Sequence, residues 1–172
     1  MAGTHFSSGV SVLSNPINGD TNNRKKGATT DFIRRSQVAR IRYSDGISET
    51  QTGIKLPPAA IVREVYLNVI TPEATGLTKT VDVGPLSTET GGDANGYLAG
   101  VDVSTAGVKK GTLLNTGQTL GALLAVDESG TGGLVPEPHV NLNGNNISWT
   151  PGSNDFAELV ADVIVVYDEV VS

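Results

Sequence analysis

Beyond the first thirty-five residues, short runs rich in β-branched residues alternate with turn signals, and this pattern restricts the fold more than any other feature. The clearest run, at 61–70, alternates apolar and polar residues. Its predicted inward face comprises Ile61, Val65, Leu67 and Val69. Roughly eight to ten such runs without a helical period are typical of a β-sandwich or barrel. We therefore predict an all-β fold, a β-sandwich of jelly-roll-like form with an extended N-terminal arm.

Turn residues at two places predict β-hairpins. Residues 71–76 lie between two strand-like runs, and residues 143–146 lie between two others. Glycine and asparagine in the second segment can adopt left-handed backbone dihedrals. The segment at 87–96 has almost nothing to bury, so we predict a surface loop there. Residues 97–103 fit either a short strand or one helical turn.

The last run, at 156–171, is apolar on both sides. Its alternation puts Val163, Val165 and Tyr167 on one face, with Val160, Ile164 and Val166 adding apolar residues to the other. A long β-branched strand of this kind belongs in the middle of a sheet or under a neighbouring subunit. We assign Val163, Val165 and Tyr167 to core or oligomer packing.

Charge divides the chain of 172 residues into two predicted parts. Residues 1–35 hold five basic and two acidic side chains, a net charge of +3, whereas the other 137 residues carry −9. The first part is rich in Gly, Asn, Ser and Thr and has too few apolar residues to order alone. We therefore predict an extended basic arm at 1–35 and a β-sandwich domain at 36–172.

Nucleic acid and membrane are not expected partners. A nucleic-acid tail usually has a denser block of Lys and Arg with aromatic residues for stacking, and the acidic body would repel phosphate. The start of the chain has no basic stretch followed by an apolar one, and no eighteen apolar residues run together. We expect neither a signal peptide nor a membrane span.

The residues that support catalysis are scarce. The chain has no cysteine and only two histidines, His5 in the arm and His139, which we predict to be a surface or turn histidine. It has no Gly-x-Ser-x-Gly elbow and no Walker loop. We therefore expect a protein that is not an enzyme and has no cofactor, no catalytic residues and no metal.

Two weaker binding hypotheses remain open. Asp93, Asn95 and Asp102 offer hard oxygen ligands for calcium, but their spacing does not match an EF-hand loop, and a solvated loop is the favoured interpretation. Carbohydrate binding usually requires exposed aromatic platforms, for which Trp149 and Tyr97 are the best candidates.

Several segments of the sequence resemble small virion proteins of tailed bacteriophages, and in particular head decoration (cement) proteins. The resemblance extends over about residues 55–170 and lies in predicted strand and turn segments rather than in a catalytic motif. The segments that carry the resemblance are residues 55–62, 78–84, 91–101, 110–114 and 157–169.

The resemblance implies a domain on the outer surface of an icosahedral capsid, commonly a homotrimer, with a terminal arm lying across neighbouring capsid subunits. The expected partners are the major capsid protein and further copies of the chain, in a virion assembled from protein made in the host cytoplasm. The predicted capsid-binding residues are Arg24, Lys25, Lys26, Phe32, Arg34 and Arg35. The alternative is a tail- or fibre-associated carbohydrate-binding module.

Overall fold

The computed structural model describes residues 31–113, 119–127 and 134–171, which contain eleven β-strands and one short 3-10 turn. The strands are β1 (Asp31–Arg42), β2 (Thr50–Lys55), β3 (Ala60–Thr71), β4 (Thr80–Pro85), β5 (Leu98–Asp102), β6 (Gly107–Lys110), β7 (Ala125–Asp127), β8 (Leu134–Pro136), β9 (His139–Asn141), β10 (Asn146–Pro151) and β11 (Val160–Val171). The chain divides into two units, Met1–Thr30 and Asp31–Ser172, and the first lies outside the described residues. Within the described ranges, no helix is long and apolar enough to cross a membrane.

The strands form two antiparallel sheets with one core between them. Sheet I has the order β1-β11-β3-β6, with β9 also paired to β3, and sheet II has the order β2-β10-β4-β5. A separate two-stranded sheet joins β7 and β8. Buried residues from both large sheets form a single hydrophobic cluster. The prediction of an all-β sandwich is confirmed, and within residues 97–103 the chain forms a strand, β5 (Leu98–Asp102), rather than a helical turn.

Both predicted hairpins are wrong. Strand β3 belongs to sheet I and β4 to sheet II, while β9 pairs with β3 and β10 pairs with β2 and β4. The turn segments therefore carry the chain from one sheet to the other. Turn residues specify that the chain reverses, but they do not specify which sheet the next strand joins. The left-handed conformation was predicted correctly at Gly144, whose φ is 68°.

Strand β11 occupies the middle of sheet I, as its two apolar faces predicted. It pairs with β1 on one side and β3 on the other. Val163, Val165 and Tyr167 point into the core and are at most 3% exposed. The opposite face of β11 is half-buried at Val160, Ile164 and Val166.

A bulge in β3 changes one predicted core residue. The register with β11 shifts between Val166 and Tyr167, so that Val166 faces Glu64 while Tyr167 faces Val62. Val62 is consequently buried, whereas Ile61 is only half-buried. An extra residue in a strand reverses the inward and outward alternation, which a strict period of two cannot show.

The segment at 87–96 is a surface loop, as predicted, and side-chain hydrogen bonds hold it against the sandwich. The carboxylate of Glu89 accepts hydrogen bonds from the backbone and side-chain nitrogens of Asn146. The side chain of Asn143 donates to the carbonyl of Thr90 at 2.8 Å. Gly84 in β4 allows this close approach, since a Cβ there would lie 1.9 Å from the carbonyl oxygen of Asp93.

Replacing Gly84 by alanine should therefore destabilise the fold by about 3 kcal/mol, because the added methyl group forces the backbone of a packed segment to move. Urea unfolding followed by circular dichroism measures this loss. Gly100→Ala is the control: its Cβ meets nothing within 4 Å, and only a φ of +65° opposes it, so we expect a cost of about 1 kcal/mol. Equal losses in the two variants would contradict the steric explanation.

Candidate functional site

The start of β1 brings part of the predicted capsid-binding set onto the sandwich. Strand β1 begins at Asp31, so Phe32, Arg34 and Arg35 pair with β11. All three side chains are exposed, and that of Phe32 is 51% exposed. Arg24, Lys25 and Lys26 lie outside the described residues. The described part of the site is therefore an exposed basic strand with one exposed aromatic ring.

Carboxylates of β11 orient three of the four arginines of β1. The Nε of Arg34 lies 3.0 Å from Asp168, and the Nε of Arg63 in β3 lies 2.8 Å from the other oxygen of the same carboxylate. Arg40 binds both oxygens of Asp162, at 2.8 and 3.1 Å. Arg35 forms an ion pair with Glu169. Paired, exposed charges contribute little stability, so their main effect is to fix the guanidinium groups along the strand.

Asp168 is the most buried member of this charge cluster. Its side chain is 8% exposed and lies between Arg34 and Arg63. The hydrogen bond from Arg34 lowers the pKa of Asp168, against the opposing effect of burial and with further help from Arg63. The carboxylate is therefore ionised at neutral pH and neutralises one of the two guanidinium charges.

A cleft of about 500 Å³ lies next to this cluster on sheet I. Arg34, Arg63, Lys110, Glu64 and Glu137 contribute its charged lining. Its apolar lining includes Leu113, Leu124, Pro136, Pro138 and Val166. An apolar floor with charges of both signs suits a polypeptide side chain better than a small anion.

Among the described residues, the side chain of His139 contacts a buried tyrosine hydroxyl rather than a serine hydroxyl or a carboxylate. This residue lies on β9 and is half-buried, which corrects the prediction of a surface or turn histidine. Its Nδ1 is 3.2 Å from the hydroxyl of Tyr97, which is fully buried. Burial lowers the pKa of His139 and raises that of Tyr97. The contact joins a largely neutral imidazole to a phenol in the protein interior.

The predicted aromatic platforms for sugars are wrong. Trp149 and Tyr97 are both 0% exposed and belong to the core cluster. Among the described aromatic residues, the ones most exposed are Phe32 and Tyr43. Periodicity in β10 places Ile147 and Trp149 on one face, but only the partner sheet shows that this face is inward.

The oxygen ligands considered for calcium form local turns instead. Asp102 accepts hydrogen bonds from the backbone and hydroxyl of Ser104, at 2.8 and 3.0 Å. Asp93 accepts from the backbone of Asn95 at 3.3 Å. In the part of the chain that the structure describes, no three His, Cys, Asp or Glu side chains form a group that could hold a metal ion.

Comparisons with known proteins give one structural likeness. No family model and no curated protein matches the chain. Among solved structures, the chain is similar to one in the Cyanophage Pam1 capsid asymmetric unit, with a TM-score of 0.47 and 17% sequence identity. The match covers 92% of this chain and 99% of that chain.

Proposed function

We propose that this protein is a non-enzymatic structural protein of a tailed-phage virion that binds the outer surface of the capsid as a cement, or decoration, protein. The observation that carries the proposal is that the basic leader, here residues 1–30, continues directly into β1. The leader cations Arg24, Lys25 and Lys26 precede a strand on which Phe32 and Arg34 stay exposed. The resemblance of residues 55–170 to phage virion proteins supports the same function.

We further propose that the sandwich is of the jelly-roll type. Its eight main strands, β1 to β6 with β10 and β11, form two facing sheets of four. The first, third, sixth and last of these strands lie in sheet I, and the remainder lie in sheet II. Strands β7 to β9 belong to the long connection between β6 and β10. Such a double sheet is rigid enough to present the β1 surface in a fixed orientation.

Binding by this mechanism depends on many modest contacts. A basic leader is complementary in charge to an acidic shell surface, and the major capsid protein would supply that surface. Repetition over the capsid, with the copies joined as trimers, turns weak contacts into strong overall binding. The two residues considered as sugar-binding platforms, Trp149 and Tyr97, are buried and so do not support the carbohydrate-binding alternative.

Removing residues 1–30 should abolish capsid binding and leave the fold intact. The deletion ends before β1, so the strand keeps all its pairs with β11. We expect an unchanged unfolding midpoint and a loss of affinity for purified phage heads of about a hundredfold or more. Co-sedimentation of the protein with the heads measures this.

A charge-matched pair of variants separates the leader's charge from charge in general. Arg24, Lys25 and Lys26 are replaced by glutamine in one protein, and Lys55, Lys79 and Lys109 in the other. Only the first should weaken binding to the heads. Undiminished binding by the protein that lacks residues 1–30 would overturn the proposed function of the leader.

A further inference from the structure

Strand β1 is a long, regular sheet edge. It spans twelve residues, about 40 Å at the rise of an antiparallel strand. Its register with β11 runs from Asp31 to Arg42 without a bulge, and among the described strands it pairs with β11 alone. The other edges of the two large sheets are short or irregular. Strands β6, β9 and β5 have four, three and five residues. Strand β2 contains Gly53 at a φ of 88° and shifts register against β10.

The backbone of β1 alternates between pairing with β11 and facing outward. The amide of Tyr43 donates to the carbonyl of Leu159 at 3.0 Å, in the same register as the β1–β11 pairs. Antiparallel pairs alternate between bonded and non-bonded positions, so the odd-numbered residues of β1 bond β11. The even-numbered residues direct their N–H and C=O groups away from β11. Arg42 agrees, because its amide donates to the carboxylate of Asp45 at 2.7 Å.

The outward-facing backbone therefore belongs to a defined set of residues. They are Phe32, Arg34, Ser36, Val38 and Arg40. Within the described residues, no hydrogen bond satisfies their amides or carbonyls. An unpaired row of this length is a template for another strand.

The side chains along this edge specify the chemistry of the partner. Arg34 and Arg40 are exposed near its two ends, and Val38, 60% exposed, lies between them. Two copies of β1 paired about Gln37 would place Arg34 opposite Arg40, and like charges directly opposite are destabilising. A strand with carboxylates opposite the arginines would instead continue the alternation of charge that β11 begins with Asp168 and Asp162.

We propose that the β1 edge binds an acidic, extended segment of another polypeptide as an added antiparallel strand. The segment places a carboxylate opposite Arg34, a second opposite Arg40, and an apolar side chain opposite Val38. The backbone ladder supplies affinity, and the alternating side chains supply specificity. The identity of the segment as part of the capsid protein rests on the proposed function, whereas the strand-addition site itself does not.

The test uses the full chain and the blocked peptide Glu-Thr-Val-Thr-Val-Thr-Glu. Paired antiparallel with β1, this peptide places its two glutamates opposite Arg40 and Arg34 and a valine opposite Val38. Amide hydrogen exchange followed by NMR should show slow exchange at Arg35, Gln37 and Ala39 without peptide and fast exchange at Ser36 and Val38. Saturating peptide should slow Ser36 and Val38 by about tenfold or more, because their amides enter a ladder. Slow exchange at these two residues before peptide is added, or no change afterwards, would overturn the proposal.

Three modified peptides make the assignment specific. N-methylation of both valines removes the donors that face β1 and should abolish protection, whereas N-methylation of the two outer threonines, which face away, should preserve it. Exchanging both glutamates for lysine should weaken binding. Equal protection by the lysine and glutamate peptides would contradict the role of the arginines.

A variant of β1 tests the same edge from the protein side. Ser36→Pro removes an outward amide that β11 does not use, so the fold should persist while peptide binding is lost. Ser36→Thr keeps the amide and should bind like the original protein. None of these measurements uses phage heads, so failure of the peptide to bind would refute strand addition and leave the leader experiment to judge the proposed function.

Discussion

Replacing Glu73 by glutamine is expected to lower the free energy of unfolding by about 3 kcal/mol at neutral pH. The carboxylate is 0% exposed and links the segment after β3 to the segment before β11. It accepts hydrogen bonds at 2.7–3.2 Å from six groups, namely the hydroxyl of Thr75 and the amides of Thr75, Gly76, Ala157, Glu158 and Leu159. Glutamine would present an NH₂ group to amide donors on one side and leave them unpaired.

The stability lost in Glu73→Gln should depend on pH, and the pKa of Glu73 in the folded protein sets the direction of that dependence. Burial alone would raise the pKa of Glu73, but the hydrogen bonds from Glu158, Thr75 and Ala157 outweigh it and lower the pKa from 4.5 to about 2. A lowered pKa in the folded state contributes stability that is fully present above the unfolded value and is lost as the pH falls through the folded value. The difference between the original protein and Glu73→Gln should therefore shrink between about pH 5 and pH 2.

Urea unfolding at several pH values measures both effects. Glu158→Gln is the matched control, because it removes an exposed carboxylate from the same segment and should change stability by less than about 0.5 kcal/mol. A loss below about 1 kcal/mol in Glu73→Gln, or a loss that stays constant down to pH 2, would contradict this account.

Replacing Trp149 by alanine should cost about 3–5 kcal/mol. Trp149 is the largest fully buried side chain, and it faces the core from the middle of β10, opposite Val83 of β4. Its removal leaves a cavity between the two sheets that neighbouring strands cannot close without losing their register. Denaturant unfolding followed by circular dichroism measures the loss.

A second substitution at Trp149 tests the effect of its indole N–H group on stability. The Nε1 group is buried and has no hydrogen-bond partner among the described residues. Trp149→Phe removes this unsatisfied donor together with part of the ring, so its cost should be well below that of alanine. Tyr43→Ala is the surface control, since Tyr43 is 43% exposed. Similar losses for Trp149→Ala and Tyr43→Ala would show that Trp149 is not central to the core.

Local sequence pattern predicted several of the strands, but it did not predict which strands pair with one another. The alternation in β3 and β11 predicted both strands, and the two apolar faces of β11 predicted its central position. The hairpins failed because turn residues such as Gly144 fit a crossing between sheets as well as a reversal within one. Ile61 was assigned to the core because the bulge in β3 arises from pairing with β11, about one hundred residues away.

The candidate site was only partly accessible to sequence reasoning for a similar reason. The charged run at 31–35 has little to bury, so it was assigned to the arm. Its strand conformation depends on backbone pairing with the end of β11, where Arg34 pairs with Asp168, 134 residues further along. Glu73 was missed altogether, because in the sequence it is one polar residue in a turn. The nearby Thr75, whose hydroxyl and amide both donate to it, was the one local signal.

The central position of β11 also sets the order of events during synthesis. Strands β1 and β3 do not pair with each other, and each is bonded to β11, which the ribosome makes about ninety residues after β3. Until then, both strands carry exposed edges that can join other nascent chains. Contacts so distant in the chain make folding slow, on the order of milliseconds to seconds. We expect β1, β11 and β3 to join in one late step, which makes chaperone protection of the growing chain more important than the stability of the finished protein suggests.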